Sequence, residues 1–254
     1  MLQSLLLRKG IRRPAKRHDR RATPDGRRIY AIGDLHGCAG QLDRMLRLIF
    51  QDMRSHAGRP ILVFMGDYVD RGPGSRQVVD LLLGLPGELE IFCLQGNHDR
   101  MLLDFLSDAS VYRDWRNFGA AATLASYGVT PPSFSHDAAL IQAQRDLARN
   151  MPPAHHGFFN RLIAHVELGD YLFVHAGIRP GLSLGEQDPG DLLGIREEFL
   201  ESEMDFGRIV VHGHTPSEDP IRRPNRIGID TGAYATSRLT AAVLEGTDVR
   251  FLHT

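Results

Sequence analysis

The sequence predicts an α/β fold in which two mixed β-sheets pack together, with helices on both outer faces and a helical insert. Three observations predict it. Strand-length apolar runs alternate with helix-spaced segments through the first hundred residues, a helical stretch fills about 100–164, and strand-rich segments return in the last third.

The elements follow in order. Residues 1–27 carry Arg, Pro, Gly and Asp without sustained periodicity and are expected to form a basic, disordered arm, leaving 28–254 as the folded domain. "RIYAIG" (28–33) is a short β-rich run that ends in glycine. In "GQLDRMLRLIFQDM", Leu42, Met45, Leu46 and Ile49 recur on one helical face. "PILVFMG" (60–66) reads as a buried strand, "SRQVVDLLLGL" as a helix opened by Ser75, and "LEIFCLQG" (89–96) as a third strand. This β-α-β-α-β order implies parallel strands joined by right-handed crossovers. The insert contains four helical segments, "DRMLLDFLSD", "WRNFGAAATLASYG", "DAALIQAQRDLARN" and "GFFNRLIAH". "HVELGDYLFVHAG" then reads as a hairpin turning at Gly169-Asp170, and "GDLLGIREEFL" as a helix. "RIVVHGHTP", "NRIGIDTGAY" and "LTAAVLEGTDVRFL" complete the strands.

Composition narrows the class. At 254 residues, 42% hydrophobic and 24% charged, the chain supports one substantial core. Ten of its 30 Lys+Arg fall in the first 28 residues, so a basic arm of net charge +8 precedes a body of −9. Such an arm could engage an anionic surface, nucleic acid or membrane, through charge alone; its lack of interleaved aromatics favours a solvated tail. No apolar run approaches the ~18 residues of a membrane span. "LLL" at 5–7 is too short for a secretory signal, and its charges follow it instead of preceding it. Two cysteines form neither a disulfide framework nor a CxxC motif, which points to a reduced, cytoplasmic protein. Cys93, inside "IFCLQ", reads as a core residue; Cys38 follows a charged motif and either packs or sits near it.

Charged clusters follow the strands. "AIGDLHG" places Asp34 and His36 after the first strand, "GDYVDRG" places Asp67, Asp70 and Arg71 after the second, and "QGNHDR" places Asn97, His98 and Asp99 after the third. "FVHAG" adds His175, and "VVHGHTP" adds His212 and His214. In a parallel sheet these strand ends share one edge, where ligand sites gather. A lone Asp or His at a strand end is more often a cap or a hydrogen-bonded core group, but five Gly-flanked clusters after five apolar runs are not five accidents. The donors are carboxylate, amide and imidazole without thiolate, which suits Mn²⁺, Fe or Zn²⁺. Their number suits two metals about 3.5–4 Å apart that share a carboxylate, with Asp67 as the bridge.

"GDLHG", "GDYVDRG", "GNHD", "HAG" and "GHT" resemble, in order and register, the signature of the phosphoprotein phosphatase family of binuclear metallophosphoesterases, with bacterial and phage members such as the lambda phosphatase nearest in pattern. The resemblance covers residue 29 to about 245 and implies the metallophosphoesterase-type four-layer sandwich. It implies that Asp34, His36 and Asp67 hold one metal, and that Asp67, Asn97, His175 and His214 hold the other. It also implies that His98, paired with Asp70, is the general acid, and that Arg71, Arg196 and Asn97 bind the phosphate. Pro216 stands where many metallophosphoesterases have a second His after GH, Asp99 where protein phosphatases usually have Glu, Phe118 where a WxxNGG segment has Gly, and Gly194 where close relatives often carry Trp. His212 falls outside the ligand set. The activity implied is a metal-dependent serine/threonine phosphomonoesterase, possible also on phosphotyrosine, in which a metal-activated water attacks phosphorus. Two divalent ions are its cofactors and a phosphoprotein its substrate. The alternative is a hydrolase of dinucleoside polyphosphates or other small phosphoesters. Relatives of that type typically carry Ala at the Asp70 position, which favours the first reading, whereas Asp99 pulls toward the second.

Overall fold

Alternation along the strands of the first sheet divides their side chains between two cores. The computed structural model describes residues 21–55, 58–132 and 136–254. The elements are β1 (Arg27–Ile32), α1 (Ala39–Met53), β2 (Arg59–Phe64), α2 (Ser75–Leu83), β3 (Glu90–Cys93), α3 (Asn97–Ser107), α4 (Tyr112–Trp115), α5 (Ala120–Ser126), α6 (Asp137–Asn150) and α7 (Pro153–Asn160). They continue with β4 (His165–Leu168), β5 (Tyr171–Val174), α8 (Pro189–Gly194), α9 (Glu197–Leu200), β6 (Ile209–His212), β7 (Ile221–Arg222), β8 (Arg226–Gly228), α10 (Ala233–Thr236), β9 (Thr240–Glu245) and β10 (Asp248–His253). One sheet runs β10-β9-β1-β2-β3 and the other β4-β5-β6-β8-β7. Both are mixed: β1, β2 and β3 are parallel, as are β5, β6 and β8, with antiparallel strands outside them.

Period-two alternation builds the layers. Ile29, Ala31, Ile61, Val63, Ala242 and Leu244 face Tyr171, Phe173, Val211 and Ile227 across the sheet–sheet interface. Their neighbours Tyr30, Ile32, Leu62, Phe64, Ala241 and Val243 point the other way, against Leu42, Met45 and Ile49 of α1 and the helical insert. On the far side, Leu172, Val174 and Val210 are covered by Leu192 of α8 and Phe199 of α9. The expected arrangement of two mixed sheets with helices outside both is therefore the observed one.

Several boundaries differ from the sequence reading. Residues 21–26, assigned to the arm, are packed on the body: Thr23 N donates to Gly246 O at 2.9 Å, Ala22 N donates to Asp170 at 3.0 Å, and buried Arg21 pairs with Asp205. The rest of the arm, residues 1–20, lies outside the described residues. Ser75 opens α2 as the sequence reading had it, and its hydroxyl accepts from Asp70 N at 3.2 Å. The segment expected to be helical over 157–165 leaves the helix at Asn160, because Ile163 forms a parallel bridge to Leu94 and accepts from Gln95 N at 2.8 Å. "GDLLGIREEFL" is two helices broken at Ile195 and Arg196, the latter at φ −129°, ψ −97°. No helix among the described residues is long and apolar enough to cross a membrane.

Candidate metal centre and phosphate pocket

The carboxyl ends of β1, β2 and β3 meet those of β5, β6 and β8 at one cavity of about 440 Å³. Its lining includes His36, Asp67, Arg71, Asn97, Arg196 and His214. The backbone there is unusual. His36, Asp67, Asp70, Arg71 and His214 have φ of 40°, 51°, 71°, 68° and 62°, and Ser237 is the one other non-glycine residue at positive φ among the described residues. Left-handed conformations at such residues cost about 1–3 kcal/mol each and persist where the surroundings impose them. Here Asp67 O accepts from Leu35 N and His36 N, and His36 O accepts from Gly72 N, so the loops after β1 and β2 brace each other. The Asp99 carboxylate ties in the third loop, accepting from Asp67 N (2.8 Å), Tyr68 N (2.9 Å) and Gly96 N (2.9 Å). A Cβ at Gly96 would overlap the Asp67 carboxylate, so only glycine lets these loops approach so closely.

Asp67 stands at the centre. Its Oδ2 lies 3.4 Å from His36 Nε2, 3.5 Å from His175 Nε2 and 3.9 Å from His98 Nε2, while Oδ1 accepts from His98 N at 3.0 Å. Among the described residues two groups of side chains could hold a metal ion, and both contain Asp67: one adds His36 and His98, the other His175 and His214. Asn97 Oδ1 lies 3.1 Å from His175 Nε2 and 2.9 Å from His214 Nδ1, which places it within the second group. The first group holds His98 where the sequence reading had Asp34. Asp34 lies at the base of the site, its Oδ2 accepting from His214 N at 3.0 Å.

The donor set fits divalent cations on three counts. His36 Nδ1 lies 2.9 Å from Val69 O and His175 Nδ1 lies 2.8 Å from Met65 O, so each ring donates to a carbonyl and turns the Nε2 lone pair toward Asp67. Burial lowers His36 to about 4 and His214 to about 3, so both are neutral, the state ligation requires. Asp34 Oδ1 and His214 Nε2 are buried without a hydrogen-bond partner among the described residues. Asp34 is also pushed well above the usual carboxylate range by burial and by repulsion from Asp230 and Asp67, a load that a bound cation would remove. Burial works against charge on Asp67 too, but His175, His98 and His36 outweigh it and hold its pKa down.

His98 lies beside this centre. Its Nδ1 is 2.7 Å from Asp70 Oδ2, and its Nε2 is 3.4 Å from an Arg71 guanidinium nitrogen. Asp70 is held by Trp115 Nε1 and by Thr123 Oγ1, each at 2.6 Å. Burial disfavours the imidazolium, yet Asp67 and the Asp70 hydrogen bond together raise the His98 pKa. Arg71 stacks over the Tyr234 ring at 4.3 Å, and Arg196, exposed to the cavity by the break between α8 and α9, donates to Thr215 Oγ1 at 3.0 Å. All ten residues singled out for the site thus converge here. His212 does not: its ring is buried, and its edge meets Phe199 at 5.1 Å.

Four contributors escaped the sequence reading. Asp230 lines the cavity after β8 and had the same signal as the others, a carboxylate after an apolar run. Trp115 and Thr123 act on Asp70 from 45 and 53 residues away, and Tyr234 reaches Arg71 from α10, contacts that local spacing does not announce.

Known proteins resemble this chain in sequence and fold. The profile of the family described as calcineurin-like phosphoesterase matches residues 27–249. A protein of Oceanobacillus iheyensis named bis(5'-nucleosyl)-tetraphosphatase PrpE (asymmetrical) is 27% identical over 236 residues, covering 84% of this chain and 87% of its own. The Bacillus thuringiensis protein of the same name is 28% identical over 231 residues, covering 83% and 87%. A solved structure titled as a putative diadenosine tetraphosphatase superposes with a TM-score of 0.63 at 22% identity, over 92% of this chain and 98% of its own.

Proposed function

The chain belongs to the calcineurin-like phosphoesterase family, and from that premise we propose that it is a cytoplasmic, metal-dependent hydrolase of dinucleoside polyphosphates such as diadenosine tetraphosphate. The observation that carries this reading is the similarity, along more than four-fifths of the chain, to proteins named bis(5'-nucleosyl)-tetraphosphatase. It reverses the order expected from the motifs, in which phosphoprotein hydrolysis came first. The cavity is compatible with it: half-exposed Phe118 in the lining and exposed Tyr234 on Arg71 offer flat surfaces for a base beside the phosphate-binding arginines.

Asp34, His36, Asp67, Asn97, His175 and His214 would hold two divalent cations, manganese being the first to supply and iron or zinc the alternatives. When bound, such a pair neutralises phosphate oxygens and makes a water nucleophilic near neutral pH. The rest is work for the chain's own groups. Arg71 and Arg196 clamp the non-bridging oxygens, a task suited to guanidinium because its paired N–H groups match two phosphate oxygens. As water adds to phosphorus and the P–O bond breaks, His98 Nε2 gives its proton to the departing oxygen, and Asp70 stabilises the imidazolium through Nδ1.

A second reading keeps its ground on one observation. The His98–Asp70 pair is buttressed by Trp115 and Thr123, and a general acid matters most when the leaving group is an alkoxide, as from phosphoserine or phosphothreonine. Turnover of diadenosine tetraphosphate and of a phosphothreonine peptide by manganese-loaded protein tests the two readings. A higher kcat/KM on the dinucleotide is expected; a higher value on the peptide would restore the phosphatase.

A further inference from the structure

Three arginines among the described residues are buried: Arg21, Arg28 and Arg226. Arg21 pairs with Asp205, and Arg28 pairs with Asp52 and Glu245. Arg226, the first residue of β8, has no ion pair or side-chain hydrogen bond among the described residues, and its Nε is buried without an acceptor. Its nearest compensation is the Phe199 ring, 6.0 Å from the guanidinium carbon. Desolvation and the nearby charge of Arg223 both push its pKa down, and neither is offset by a carboxylate. A buried guanidinium left this way is unfavourable to folding.

Arg226 lines a cavity of about 550 Å³ together with Leu200, Glu201, Glu203, Arg223 and Pro224. That volume is in the range of small-molecule sites, and Leu200 and Pro224 give it apolar wall. Glu201, Glu203 and Arg223 are exposed, where water screens them; Arg226 is the buried one of the four, with its Nε enclosed and without a partner among the described residues. The cavity is separate from the catalytic one, since Arg226 opens β8 and Asp230 follows its end, roughly 13 Å along an extended chain.

We propose that Arg226, with Arg223, forms a second oxyanion site, taking a small metabolite that presents a phosphate or carboxylate group to the inner guanidinium and its body to the apolar wall. The ligand would replace the missing counter-ion, with the fork of N–H donors matching two oxygens.

Thermal unfolding of the full chain tests this. Chelator keeps cations from recruiting anions to the catalytic centre, and inorganic phosphate, ADP and citrate are added separately at millimolar concentration. At least one is expected to raise the midpoint by about 2 °C or more. A response to phosphate or ADP without citrate assigns the phosphate source, and the reverse assigns a carboxylate. The shift should survive Arg71→Ala, disappear in Arg226→Met and shrink in Arg223→Gln. Without anion, Arg226→Met should melt at or above the wild type, because it removes an unpaired buried charge. No shift with any anion, a shift retained in Arg226→Met, or a shift lost in Arg71→Ala would each overturn the site. Should Arg226→Met fail to fold, surface Arg223→Gln decides: an undiminished shift in that variant sinks the proposal.

Discussion

Nδ1 of His98 lies 2.7 Å from Asp70, which leaves Nε2 as the nitrogen that faces the cavity. This orientation allows one proton to be delivered at one place. His98→Asn should therefore lower kcat about 10²–10⁴-fold on an alkyl phosphate, and much less on p-nitrophenyl phosphate, whose phenolate departs unaided. Equal losses on both would show that the ring does not act as the acid. Trp115→Phe, which takes one donor from buried Asp70, should cost about 1–3 kcal/mol in denaturant unfolding.

Asp67 belongs to both groups among the described residues that could hold metal. Asp67→Asn should empty both sites together, and the ratio of bound manganese to protein, measured by elemental analysis, should fall from near two toward zero. The circular dichroism of the variant should stay native, since no arginine or lysine among the described residues pairs with this carboxylate. Full metal content in the variant would contradict a bridging role.

Gly96 has no room for a methyl group against Asp67. Gly96→Ala should destabilise the fold by about 1–3 kcal/mol and lower activity by more than the folded fraction lost, because relief of the overlap has to move Asp67. Normal specific activity at normal stability would show that the loop has more slack than its contacts imply.

Asp52 carries the clearest pH prediction. At the end of α1 it accepts from Tyr30 at 2.7 Å and from Arg28 at 3.0 Å, and pairs with Arg250 of β10, so it anchors the helix to the first sheet. Partial burial works against its charge, but the Tyr30 and Arg250 hydrogen bonds prevail and lower its pKa. A folded pKa below the unfolded one means the stabilisation is present above the unfolded value, near 3.9, and is lost as pH falls through the folded one. Asp52→Asn should be less stable by about 1–3 kcal/mol at neutral pH, and the gap should close below about pH 4. A gap of constant size across that window would mean that charge is not its source.

What the sequence disclosed depended on range. Strand, turn and candidate ligand lie within a few residues of each other at Asp34, Asp67, Asn97, His175 and His214, so apolar runs and glycines pointed to the candidate centre together with the two-sheet fold. Asp230 had the same neighbourhood but stood without a histidine. Ser75 opens α2 as read, and only the folded loop shows that Asp70 N donates to its hydroxyl. The break before α9 went unread because "GDLLGIREEFL" keeps helical composition through Arg196, and only tertiary packing explains the interruption. Thr23 seemed part of a charged tail, yet a partner 223 residues away holds it.

Asp99 rivets the second and third loops through a single carboxylate. A clasp of that kind makes the cradle all-or-none. Pull the third loop free and the second loses two of its amide anchors in the same motion, so a half-assembled centre has no intermediate rung to rest on. Amide exchange at Asp67, Tyr68 and Gly96 should accordingly proceed in lockstep, as one plate lifting.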